Sequence, residues 1–246
     1  MNKIPEINIT TNKNLDTKTI AELAEMNDKF MEIHFKDYRK DQNLTNYIIN
    51  KYLAEKNNLS SKIRELENKL NILEEACKII SEIMGDKWEK INKINVFIGF
   101  CPIIPRFLDT KSFILPYELN VNIKIHFSVH EIIHFLYFQK WAKIYKKDSI
   151  ETFESPHQNW ILSEIIAPVI MRDGRIFDLI KTESNLYPEW KKIDDQYKYF
   201  DEFLSLYYKT SDFEDFLIEA KKKYYEIDNK INLTSLLTSR DSQHMG

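Results

Sequence analysis

Glycine and proline are scarce, at four and seven in 246 residues. Few positions are free to take the left-handed backbone of tight turns, and few are forced to break a helix. Long regular elements are expected to outnumber tight turns. Cysteine is rarer still: Cys77 and Cys101 stand in unlike contexts. They form no CxxC pair and no disulfide framework, so a reducing compartment is expected. Positive charge is not in excess. The 35 Lys and Arg are interleaved with 38 Asp and Glu, for a net charge of -3. Nucleic acid is therefore not expected as a partner, because there is no basic surplus to neutralise its phosphates. No apolar run nears the roughly 18 residues needed to cross a bilayer, so no membrane partner is expected either. The first residues, MNKIPEINITTNKNLD, lack the apolar stretch of a signal peptide. From these absences a cytoplasmic location is expected. What is present, 43% hydrophobic and 30% charged residues, is the composition of a soluble chain with a substantial core.

The pattern along the chain predicts an α+β fold, predominantly helical. Residues 1 to 14 read as an irregular arm. A helix is expected over 16–37, with Ile20, Leu23, Met26, Phe30 and Ile33 at helical spacing, and another over 43–54. Leu59, Ile63, Leu66, Leu70, Leu73, Cys77 and Ile80 step by four and three. That is an a/d seam, read here as one long helix lying on its own domain rather than as a coiled coil. The character changes near residue 90. INVFIGF, at 94–100, reads as a strand. CPIIPRFLDT reads as a loop. SFILPY, at 112–117, reads as a second strand, and Pro116 points to a sheet edge. A helix from about 122 or 127 to 145 follows. After a polar segment comes a helix over 157–171, with Pro168 inside it to kink it or end a turn early. Two or three helices rich in Tyr and Phe should complete the chain to about 232. Three regions result: helical 1–90, a core over 91–175, and helical 176–246, unless all form one compact domain. No oligomeric state can be read from the pattern.

One stretch of the 122–145 helix carries chemistry. In SVHEIIHFLYF, Ser128 to Phe138, His130 and His134 lie four apart and so share a helix face. Two imidazoles one turn apart can reach one zinc ion. Glu131 is rotated about 100° around the helix. It is a poor third ligand there, but well placed to act as general base on a metal-activated water. The surrounding Ile132, Ile133, Phe135 and Leu136 carry no charge. Burying two histidines and an acid among them without partners would be costly, and a metal removes that cost.

SVHEIIHFLYF resembles the active-site helix of the zincin metallopeptidases over about ten residues. The resemblance implies a small sheet before the helix, whose edge strand lines the substrate cleft. It also implies a third protein ligand to zinc. The metzincin pattern is excluded, because the position three after His134 is Tyr137 and position 140 is Lys. A glutamate on a later helix, as in thermolysin-like gluzincins, is the alternative, and Glu151, Glu154, His157 and Glu164 compete. Glu164 is favoured, since it is an acid inside the apolar NWILSEIIAPVIM, and SEII resembles the glutamate-ligand helix of those enzymes. Glu154 is the runner-up. The family often has an acid four residues after this ligand; here that residue is Pro168. His157 is a candidate for stabilising the oxyanion, or caps a helix. His126 extends the histidine stripe if the helix begins early, and otherwise ends the preceding segment. Tyr187 is a weaker candidate.

The reading these residues support is a zinc-dependent metallopeptidase acting on a peptide or protein. His130, His134 and Glu164 would hold Zn2+, with Glu131 as general base and His157 beside the reaction. The rival is a non-catalytic helical interaction protein with a structural or degenerate zinc site, closed by four protein ligands. A zinc hydrolase acting on other bonds is a third option.

Overall fold

A computed structural model describes residues 3–182 and 199–231 of the chain. Tyr187 lies outside them, as does the polar C-terminal tail. The N-terminal arm contains a strand, β1 (Glu6–Thr10). Ile7 and Ile9 are buried and alternate with more exposed polar neighbours, the period-two pattern of a half-buried strand. β1 runs parallel to β2 (Lys93–Gly99), with Ile7 opposite Ile94 and Ile9 opposite Val96.

The loop expected after β2 holds a two-residue strand, β3 (Arg106–Phe107), antiparallel to β4 (Ser112–Pro116). The sheet order is β1-β2-β4-β3, so β4 is an interior strand and not the edge that Pro116 suggested. Pro116 is tolerated because it is the last residue of the strand. β3 reaches only Phe113 and Ser112, and the final bond to β2 is donated by Tyr117 N–H to Gly99 C=O at 2.8 Å. The missing N–H of Pro116 interrupts no ladder.

The helix expected over 16–37 is two helices, α1 (Lys13–Met26) and α2 (Phe30–His34). Asn27 separates them, its side chain accepting from Lys29 N–H at 2.9 Å. That local bond competes with helix continuation. α3 (Leu44–Ala54) starts where expected, with the Asn43 side chain accepting from Asn46 N–H. The leucine seam is also two helices, α4 (Lys56–Glu67) and α5 (Leu70–Met84), interrupted at Asn68 and Lys69. Leu59, Leu66, Leu73, Cys77 and Ile80 are buried within the chain itself, as a helix lying on its own domain requires.

α6 (Val121–Ile144) carries HEIIH. It begins early enough to include His126. A short 3-10 turn (Ile150–Phe153) precedes α7 (Gln158–Met171), which runs on through Pro168. α8 (Gly174–Ile180), α9 (Tyr199–Lys209) and α10 (Phe213–Ile231) follow. No helix among the described residues is long and apolar enough to cross a membrane. The fold is thus mostly helical with a small four-stranded sheet.

The chain divides into two compact units, each drawn from separate segments. One takes Pro5–Glu74 and Ile91–Glu131 and contains the whole sheet; the other takes residues 3–4, Glu75–Lys90 and the described residues from Ile132 to Ile231.

In the first unit a buried acid fixes the end of β2. The Asp16 carboxylate accepts from Phe100 N–H at 2.7 Å, Cys101 N–H at 3.0 Å and Tyr52 O–H at 2.8 Å. The approach is so close that a Cβ on Gly99 would lie 2.7 Å from Asp16 Cγ. Just before HEIIH, the buried Lys124 ammonium donates to the carbonyls of Tyr117 and Leu119. This ties the turn after β4 to the start of α6. Burial pushes the Lys124 pKa down to about 8.

Candidate metal centre

Residues 128–138 of α6 are buried without a break. A helix enclosed on all sides leaves its polar side chains no route to water, so they must meet partners inside. His134 is fully buried and His130 is 7% exposed. The helical repeat turns their four-residue spacing into a common face. Glu164 sits on α7 among Ile161, Leu162, Ile165 and Ile166, all buried, and is itself 4% exposed.

His134 Nε2 lies 3.3 Å from Glu164 Oε1. One ligand atom from each of His130, His134 and Glu164 falls within 4.8 Å of the others. The donor set, two imidazoles and a carboxylate, is one that catalytic zinc sites use. The His134–Glu164 distance fits as well, the other two being held only within 4.8 Å. Ligands about 2.05 Å from a tetrahedral zinc stand about 3.3 Å apart along each edge. A charge-assisted hydrogen bond between imidazolium and carboxylate would be shorter, about 2.7–2.9 Å. The group can therefore hold a metal ion.

Glu131 is outside this group. Its carboxylate Oε2 accepts from Arg106 Nη1 at 2.9 Å, with side-chain exposures of 6% for Glu131 and 8% for Arg106. Arg106 comes from β3, in the stretch the sequence presents as a loop. Sequence reasoning passed over it, and the signal was a lone cation between apolar residues in PIIPRFL.

The other candidates fall elsewhere. Glu151 and Glu154 are exposed, on and just after the 3-10 turn. His157 is exposed and serves as the N-cap of α7, its Nδ1 accepting from Asn159 N–H at 3.1 Å. None of the three joins the donor group. His126 is half-buried on α6, and its Nδ1 has no hydrogen-bond partner among the described residues. Burial first, and the neighbouring His130 second, push its pKa down to about 4. The hydroxyls of Ser128 and Tyr137 are likewise buried without a partner among the described residues.

The chain matches no protein-family model, no curated protein and no solved structure.

Proposed function

We propose that this chain is a zinc-dependent metallopeptidase of zincin type. The observation that carries the reading is the convergence of His130, His134 and Glu164 with a second carboxylate, Glu131, next to them in sequence but outside the donor set. A catalytic zinc takes three protein donors, whereas a structural zinc is closed by four. Among the described residues no fourth His, Cys, Asp or Glu joins the three. The sheet supports the same reading, since it precedes the helix and ends on an antiparallel edge strand, β3.

In this mechanism His130, His134 and Glu164 would hold the ion. Bound zinc supplies a Lewis acid that polarises a carbonyl and makes water more acidic. Glu131 accepts the proton of the attacking water at its carboxylate and returns it to the leaving nitrogen as the peptide bond breaks. Burial of the helix around these groups excludes bulk water and strengthens each polar interaction. His157, engaged as a helix cap, is given no step.

The pairing of Glu131 with Arg106 favours the rival reading, a structural zinc site, because it occupies an oxygen that the base needs. One experiment separates the two. The purified chain is loaded with zinc, its zinc content is measured by elemental analysis, and its hydrolysis of a mixed peptide library is followed by mass spectrometry. One zinc per chain with zinc-dependent cleavage is expected. Zinc without cleavage would favour the structural site, and no zinc after reconstitution would sink both.

A further inference from the structure

The sheet has a second face that the peptidase reading leaves unused. Successive strand residues point to opposite faces. Arg106 turns toward Glu131, so Phe107 turns away from it. Phe107 stands opposite Ser112, Ser112 opposite Asn95, and Asn95 opposite Asn8. This row crosses all four strands on the outer face. β1, β2 and β4 run parallel, and parallel sheets are ordinarily apolar and buried on both faces. Here the outer face carries two asparagines and a serine instead, with two half-buried phenyl rings, Phe97 and Phe107. Ser112 is small and lies on β4, between the strands that carry the rings, so it leaves a hollow. Leu15, Lys18, Thr19 and Glu22, one stripe of α1, form the opposite wall. The space between is a cavity of about 380 Å³, within the roughly 300–1,000 Å³ of small-molecule sites.

The lining limits what fills this cavity. Asn8 Nδ2 donates to Asn95 Oδ1 at 3.0 Å, which fixes the Asn95 amide with its own NH2 spare. The Asn12 side chain accepts from Leu15 N–H at 3.1 Å, and its NH2 is spare too. Neither NH2 meets an acceptor among the described residues. The Thr110 and Ser112 hydroxyls lie 2.7 Å apart. One donates to the other, so one O–H is left to give. Glu22 and Asp109 supply carboxylate acceptors, and Lys18 faces Glu22 at 3.6 Å. An anion would meet two carboxylates, with Lys18 already facing one of them. A hydrocarbon would leave the amides and hydroxyls without partners. An uncharged ring bearing several hydroxyls meets neither objection. Its O–H groups donate to the carboxylates and accept from the amides, and its C–H groups lie against the phenyl rings. We propose that this cavity binds a sugar residue, with Asn95 hydrogen-bonding its hydroxyls and Phe97 and Phe107 covering its apolar surface. None of the lining residues belongs to the metal-donor group, and the proposal does not rest on the peptidase reading.

Saturation-transfer NMR on the full-length chain tests this. The probes are glucose, galactose and N-acetylglucosamine, each as the free sugar and as its β1,4-linked trisaccharide. Glucose 6-phosphate and cyclohexanol are the anionic and the apolar control. At least one neutral sugar should receive saturation and titrate to a plateau, ahead of both controls. A trisaccharide that outbinds its monomer marks the end of an oligosaccharide as the ligand; equal or weaker binding marks a free sugar. Asn95→Ala should weaken the sugar about tenfold, the loss of one or two hydrogen bonds. Thr110→Trp, at an exposed position of the turn, should fill the cavity and abolish binding. No saturation of any sugar, tighter binding of either control, or sugar binding left unchanged by a folded Asn95→Ala or Thr110→Trp overturns the proposal. Should one variant fail to fold by circular dichroism, the other decides alone.

Discussion

His134 Nε2 and Glu164 Oε1 stand 3.3 Å apart, one on α6 and the other on α7. If a zinc ion uses both, removing either ligand must weaken it. Glu164→Ala should lower zinc affinity by at least about 100-fold, more than the 10–100-fold typical of losing an outer-shell partner. A competition titration against a chelator measures this. Unchanged affinity in Glu164→Ala would show that the carboxylate is not a ligand.

Glu131 should behave differently, because it lies outside the donor group and faces Arg106. Glu131→Gln should keep the zinc content of the wild type while kcat falls by about 10²–10⁴, the usual weight of a general base. Zinc analysis and peptide kinetics on the same preparation decide the matter. Full turnover in the variant would remove Glu131 from the mechanism.

The two sites were not equally visible in the sequence. HEIIH was legible because helical periodicity turns spacing directly into position. Glu164 was legible as an acid in an otherwise apolar helix. Arg106 was not, since its contact depends on a strand of two residues, too short for alternation to register. β1 escaped for a similar reason: only Ile7 and Ile9 mark it, among polar neighbours. Helix breaks at Asn27 and Asn68 were hidden because apolar spacing continues across them. At Asn27 the break is made by a side chain bonding its own backbone neighbourhood, which periodicity does not report. His157 was seen as a candidate, but its cap bond to Asn159 depends on where α7 starts.

Metal binding and stability should move together, because a ligand that binds only the folded chain stabilises it. Free zinc at about one hundred times its Kd adds about 2.7 kcal/mol, a rise of about 5–10 °C in Tm for a chain of this size. His130→Ala should lose that rise, and a chelator should reverse it in the wild type. Differential scanning calorimetry with and without zinc checks this. An equal rise in His130→Ala would mean that zinc binds elsewhere.

The contact between Gly99 and Asp16 makes a prediction about folding alone. An alanine Cβ at position 99 would meet three atoms of the Asp16 carboxylate at 2.7–2.8 Å. The carboxylate has little freedom to withdraw, because Phe100, Cys101 and Tyr52 all donate to it. Gly99→Ala should therefore cost about 1–3 kcal/mol, the usual penalty of overpacking. Urea unfolding measures it. A loss below a few tenths of a kcal/mol would show that Asp16 shifts freely.

Asp16 also predicts a pH dependence of definite sign. Burial, the largest influence, raises its pKa above the ordinary 3.8, against the opposing effect of its hydrogen bonds to Phe100, Tyr52 and Cys101. The folded chain then holds this proton more tightly than the unfolded chain does. The stabilisation from the protonated acid is fully present below pH 3.8 and is lost as pH rises through the higher, native value. Asp16→Asn cannot ionise and escapes this loss, although its amide accepts less well from the two backbone N–H groups. Whatever its stability at low pH, the difference between variant and wild type should shift in favour of the variant as pH rises from below 3.8 to neutrality. Urea unfolding of both proteins across that range checks the sign. A shift in favour of the wild type would mean that the three hydrogen bonds outweigh burial and hold Asp16 ionised.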